Sequence, residues 1–254
     1  MRPWIWTMAI AAVLLSARHG MAHEDVVPYN VGGKLVTGGH DDILATDNIE
    51  QRVFGYDFGE DVLDPYIIGD PGFNNGAFAV GLYPNDGLLP SSMTLGFDVI
   101  SSLSFWDGTG GVAFSAAPAG VELGLRRGSS TVLVSGTGQS GTTPSIGVTT
   151  AGGRLHEHIE SQLNFTDGTN PLPPNAPDGL YLVGLKLTMS GLADSDPIYF
   201  VYNNNLDEEV HDEGIEWVEA VLVPEPATWL LAVVGTAGVA LTAWRRRRGA
   251  SRRS

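Results

Sequence analysis

The sequence predicts an all-β protein, an antiparallel β-sandwich of jelly-roll type, with a helical segment appended at each end. Three observations predict it. Glycine is abundant, 33 of 254 residues, and most of it punctuates short runs rich in β-branched and aromatic residues. The intervening stretches, such as Asp107-Gly108-Thr109-Gly110-Gly111 and Asn170-Pro171-Leu172-Pro173-Pro174-Asn175, are built of turn formers. Between residues 23 and 223 no apolar period of 3.6 persists over three turns, whereas period-two alternation recurs. Short strands between such turns pack as two faced sheets.

In chain order, residues 1–22 read as a secretory signal. Arg2 supplies the positive start, Trp4 to Leu15 is a mostly apolar run, and Gly20-Met21-Ala22 offers small residues for cleavage before His23. The folded domain is expected over residues 23–223. Its candidate strands are Arg52–Phe58, Gly76–Leu82, Met93–Phe105, Val112–Ala116, Val121–Leu125 and Thr131–Ser135. Further strands are expected at Ile146–Thr150, Leu155–Phe165, Leu180–Met189, Pro197–Tyr202 and Ile215–Val223. Leu180–Met189 alternates most clearly, with Tyr181, Val183, Leu185, Leu187 and Met189 on one face and Lys186 and Thr188 on the other. About 200 residues can close such a core without disulfides, and the chain has no cysteine. That absence also excludes thiol catalysis, thiolate zinc sites and iron–sulfur clusters.

Residues 224–254 form a separate tail. Pro224-Glu225-Pro226 precedes an uncharged run from Ala227 to Trp244, and Arg245-Arg246-Arg247-Arg248 follows. As a helix, residues 227–244 would reach about 27 Å, enough for a bilayer core. Trp229 and Trp244 mark its ends, and the arginines belong on the cytoplasmic side. In its order of motif, span and basic end, Val223 to Ser254 resembles the PEP-CTERM sorting signal of Gram-negative-type bacteria. The resemblance implies recognition of Pro224, Glu225 and Pro226 by an exosortase, a membrane-embedded processing enzyme. It also implies an inner-membrane precursor, a cell-surface or extracellular product, and an association with exopolysaccharide and biofilm.

Charge separates the ends from the middle. Of 14 basic residues only Lys34, Arg52, Arg126, Arg127, Arg154 and Lys186 lie in the body, whereas Glu225 alone of the 29 acids lies outside it. A body this acidic repels phosphate backbones, which argues against nucleic acid, and it attracts divalent cations.

The most specific polar cluster is His156-Glu157-His158-Ile159-Glu160. On a strand, Leu155, Glu157, Ile159, Leu163 and Phe165 share one face, and His156, His158 and Glu160 share the other. Alternate residues lie about 6.5–7 Å apart along a strand, so the two imidazoles can converge on one ion. Imidazole with carboxylate suits zinc, manganese or iron better than calcium. A third ligand must come from elsewhere, and His40 and His211 are the candidates; the alternative is a solvent-facing strand that carries two histidines. Acidic runs at Asp207, Glu208, Glu209, Asp212 and Glu213, and at Asp57, Glu60, Asp61 and Asp64, read as calcium ligands or as solvated loops.

The body also resembles a class of bacterial surface-anchored β-sandwich modules. Gly39-His40-Asp41-Asp42 matches their early Gly-His-x-Asp motif, His156-Glu157-His158 matches their later His-x-His, and Phe165 and Gly179-Leu180-Tyr181 follow in order. The stretch from Phe165 to Gly179 departs from them in being long and proline-rich.

No Gly-x-Ser-x-Gly elbow, phosphate loop, dinucleotide fingerprint or His-Glu-x-x-His motif is present. No catalytic residue or cofactor-binding motif is therefore assigned. Trp106, Tyr66, Tyr83 and Trp217 are candidates for a sugar-stacking surface or for packing. Two function classes remain. One is a non-enzymatic envelope or matrix protein that binds polysaccharide, a divalent metal or other surface proteins. The other is a secreted metal-dependent hydrolase that uses His156 and His158.

Overall fold

The computed structural model describes residues 24–41, 46–48, 50–59, 61–76, 87–165 and 176–223. The signal segment, the sorting tail with its expected membrane helix, Tyr83 and all but the first residue of the expected strand Gly76–Leu82 lie outside the described residues. Among the described residues no helix is long and apolar enough to cross a membrane.

The described residues are β-rich with one helix. In order, the strands begin with β1 (Glu24–Val31), β2 (Lys34–Asp41), β3 (Thr46–Asn48), β4 (Val53–Asp57), β5 (Ile67–Ile68) and β6 (Gly72–Asn74). They continue with β7 (Thr94–Val99), β8 (Ser104–Trp106), β9 (Ser115–Ala116), β10 (Val121–Arg127), β11 (Ser130–Ser135) and β12 (Gly138–Gly141). The last are β13 (Gly147–Val148), β14 (His156–His158), β15 (Glu160–Phe165), β16 (Gly179–Met189) and β17 (Ile198–Asn204), and helix α1 (Glu208–Leu222) closes the fold.

Among the described residues three sheets form, ordered β14-β6-β1-β2-β3, β12-β11-β10-β15-β5 and β13-β7-β16-β17-β4, with β8 and β9 joined to the third through β16. Pairing is antiparallel except for β1 with β6 and β17 with β4, which are parallel. One apolar core draws on all three sheets, with Val26 and Leu35 from the first, Leu123, Leu125 and Leu163 from the second, and Phe54, Val183 and Phe200 from the third. Phe200 anchors an aromatic group, its ring 5.9 Å from Phe54, 5.5 Å from Tyr56 and 6.5 Å from Phe73.

Several expectations need correction. The expected strand Ile215–Val223 is the second half of α1. Its stripe of His211, Gly214, Ile215 and Val218 lies against the third sheet, a helical spacing of i, i+3, i+4 and i+7. Two of those four positions are histidine and glycine, so the stripe carries little apolar signal. Meanwhile Ile215, Trp217, Val221 and Val223 imitate alternation. Because α1 covers this sheet, Leu180 and Leu182 are buried as well as Tyr181 and Val183, and the first seven residues of β16 are buried on both faces. Gly55 and Gly214 permit the close approach. A Cβ on Gly55 would lie 2.6 Å from Ile215 Cδ1, and one on Gly214 would collide with Leu180.

The expected strand Met93–Phe105 divides into β7 and β8, and Leu155–Phe165 divides at Ile159 into β14 and β15, which join different sheets. Strands β1 and β2 were not expected at all. They carry Asp25 and His40 of the site described next.

Candidate functional site

Strand β14 runs antiparallel to β6, with His156 opposite Asn74 and His158 opposite Gly72. On the far side of β6 lies β1, where Val26 pairs with Phe73, and beyond it β2, where His40 faces Asp25. Residues directly opposite one another rise on the same sheet face. His158, Gly72, Asp25 and His40 therefore form a row across four strands. Gly72 is the gap in that row. A Cβ there would collide with Asp25 Oδ1 and lie 3.0 Å from His158 Cε1, so only glycine lets the carboxylate and the imidazole come together over β6.

Asp70 completes the group. Ligand atoms of Asp25, Asp70 and His158 all lie within 4.8 Å of one another. Asp25 and His40 are buried, whereas His156 and His158 are exposed. Ser161 Oγ donates to the Asp70 carbonyl at 2.6 Å and lies 2.9 Å from Tyr202 Oη, which fixes this corner from below. Burial raises the Tyr56 pKa well above 10, and the charges of Tyr202, Asp70 and Asp25 push it the same way. The floor beneath the carboxylates is thus a pair of neutral phenols.

The two imidazoles meet as the His-x-His spacing suggests. His158 Nδ1 lies 3.1 Å from the Gly69 carbonyl and 3.5 Å from Asp70 Oδ1. Both are acceptors, so Nδ1 carries the hydrogen and Nε2 is the free coordinating nitrogen. His158 Nε2 lies 3.3 Å from His156 Nε2. Zinc–nitrogen bonds of 2.0–2.1 Å at tetrahedral angles separate two nitrogen ligands by about 3.3–3.4 Å. The pair thus stands at the spacing of one edge of a coordination tetrahedron. Contacts of Asp70 and Gly69 to the opposite ring nitrogen are the outer support that metal-binding histidines use.

Glu157 points the other way and pairs with Arg127. Glu160 lies past the break at Ile159, where Arg126 Nη2 donates to it at 2.8 Å. His211 occupies a second group, because Asp57, Glu208 and His211 also bring ligand atoms within 4.8 Å of one another. Members of the two acidic runs are therefore joined by the fold. Trp106 is buried, and Trp217 packs on Phe114 with ring centroids 5.5 Å apart, so these two indoles are packing residues.

Asp25 and Asp70 were missed in the sequence. Asp25 is the second residue of a strand whose Val26-Val27 pattern is too short to announce it, and Asp70 lies in the link between β5 and β6. The only sequence sign of either is Gly72, whose need to be glycine is visible only once β1 lies beside it.

Comparison with known proteins assigns the other end of the chain. Residues 222–248 match the family model described as the PEP-CTERM protein-sorting motif. No curated protein and no solved structure matches the chain.

Proposed function

We propose that this exported, exosortase-sorted protein is a non-enzymatic binding module of the cell surface that captures a divalent transition-metal ion at His156 and His158. In this reading the acidic β-sandwich body of residues 23–223 carries the site. The tail of residues 224–254 holds the precursor in the inner membrane by residues 227–244 until the exosortase acts at Pro224-Glu225-Pro226. The mature protein then joins the extracellular matrix, where polysaccharide and other surface proteins are its neighbours.

The observation that carries the metal assignment is the 3.3 Å separation of the two Nε2 atoms, with His158 Nδ1 already committed to Gly69 and Asp70. Asp25 and Asp70 bring negative charge to within 4.8 Å of His158, and His40 lies opposite Asp25 in the same row. An imidazole-rich set with one or two carboxylates favours zinc, manganese or iron over calcium. A binding role is preferred to hydrolysis because the sequence carries no recognised catalytic motif.

The test uses the full chain purified in detergent and dialysed against Zn2+. Bound metal should drop by one equivalent when His156 and His158 are both replaced by alanine. Unchanged metal content in that double variant would refute the assignment.

A further inference from the structure

The second histidine group lies where α1 meets the third sheet. His211, on the first turn of α1, is 1% exposed in its side chain. Its Nε2 donates to the Val201 carbonyl on β17 at 3.0 Å, which leaves Nδ1 as the nitrogen turned toward Asp57 Oδ1, 3.4 Å away on β4. Glu208, three residues earlier on the same helix face, brings its carboxylate to the same point. A neutral imidazole held this way aims a lone pair at two carboxylates. Only a positive charge between them, a proton or a metal ion, relieves that arrangement.

Three further features bear on which cation it is. The Nε2 contact with a backbone carbonyl is the outer support of a metal-binding histidine. Asp57 is oriented in the same manner, by Asn203 Nδ2 donating to its Oδ1 at 2.7 Å, and Asn203 in turn accepts from the Leu206 amide at 3.0 Å just ahead of α1. Asp212 follows Glu208 by one helical turn, and its Oδ1 is enclosed without a hydrogen-bond partner among the described residues. A proton shared by His211 and Asp57 gives Glu208 no direct part, whereas a metal ion can be held by all three side chains. Partial burial and the charge of Asp57 raise the Glu208 pKa, His211 offsets part of that, and Asp212 adds to it, so these four groups act on one another directly. The positive end of the helix opposes a cation by about half a charge, less than the carboxylates of Asp57, Glu208 and Asp212 supply.

We propose that Asp57, Glu208 and His211 form a second divalent-cation site, for an ion of the zinc or manganese type, that fastens α1 to β4. Helix α1 ends at Leu222, where the sorting motif begins, so the ion braces the last folded element before the tail.

The test removes the first site. In the full chain with both His156 and His158 replaced by alanine, equilibrium dialysis against Zn2+ or Mn2+ should still find one bound equivalent. Amide exchange across residues 208–222 should slow when that metal is added. Glu208 is exposed, so Glu208→Gln should keep the far-UV circular dichroism unchanged while weakening this binding at least about tenfold. The proposal is overturned if the double variant binds only substoichiometric metal, if Glu208→Gln binds as tightly as its parent, or if exchange in α1 does not respond. Because the first pair is absent throughout, none of these results bears on the assignment at His156 and His158.

Discussion

The two histidine clusters use the same side chains in opposite settings. His156 and His158 stand exposed on β14, at the edge of a sheet, and touch the body mainly through Gly69 and Asp70. His211 is enclosed between α1 and the third sheet and is bonded to the chain at both ring nitrogens. An exposed imidazole can be exchanged for another ligand without disturbing the fold, so the first cluster is suited to capturing something from outside. A buried, doubly bonded imidazole is part of the packing, so the second is suited to holding the protein together. Burial rather than residue identity separates a binding role from a structural one, and substitutions can break that distinction.

The largest effect is expected at His211. Replacing it with alanine removes the Val201 hydrogen bond, takes away the imidazole facing Asp57 and leaves a cavity beneath α1. Breaking a buried, hydrogen-bonded pair of this kind costs about 3 kcal/mol. Urea denaturation of the metal-free protein should show a loss of that order. A loss below about 0.5 kcal/mol would mean that α1 does not depend on this contact, and the contrast between the clusters would fail.

Next in size is Gly55→Ala. The new methyl would stand 2.6 Å from Ile215 Cδ1 and 3.0 Å from His211 Cε1, so α1 must lift from β4 or the strand must bend. Overpacking of this degree costs about 2 kcal/mol. The same variant should also speed amide exchange in α1 while leaving β14 unchanged, which places the strain at one cluster and not the other.

How much of this was legible in the sequence follows the same division. Strands β10, β11, β16 and β17 were readable because an apolar face repeats every second residue, and the His-x-His pair was readable because both ligands come from one strand. Other parts of the site depend on neighbours distant in the chain. Asp25 reaches His158 across β6, 133 positions along the sequence, and does so only because residue 72 lacks a Cβ. The second half of α1 reads as a strand, and its first half as an acidic loop, because its buried stripe begins with His211 and Gly214, residues that signal no core until a sheet is laid beneath them. The acidic runs containing Asp57 and Glu208 were visible separately. Their convergence on one imidazole is a property of the fold alone. The sorting tail needs no such tertiary information, because motif, apolar span and arginines are contiguous.

The smallest expected effect is the most discriminating. His158→Ala removes an exposed ring from an edge strand, and surface changes of that type alter stability by less than about 0.5 kcal/mol. In the presence of a chelator the variant and the parent should therefore melt together. With Zn2+ added, the parent should gain stability from both clusters, because a ligand bound only to the folded state raises the melting temperature by mass action. The His158→Ala variant should keep the part of that gain owed to His211 and lose the part owed to the exposed pair. If instead the variant melts well below the parent before any metal is added, His158 is a structural residue that happens to face solvent. The 3.3 Å contact with His156 would then be a hydrogen bond that ties down the end of β14, and the exposed cluster would belong with the buried one.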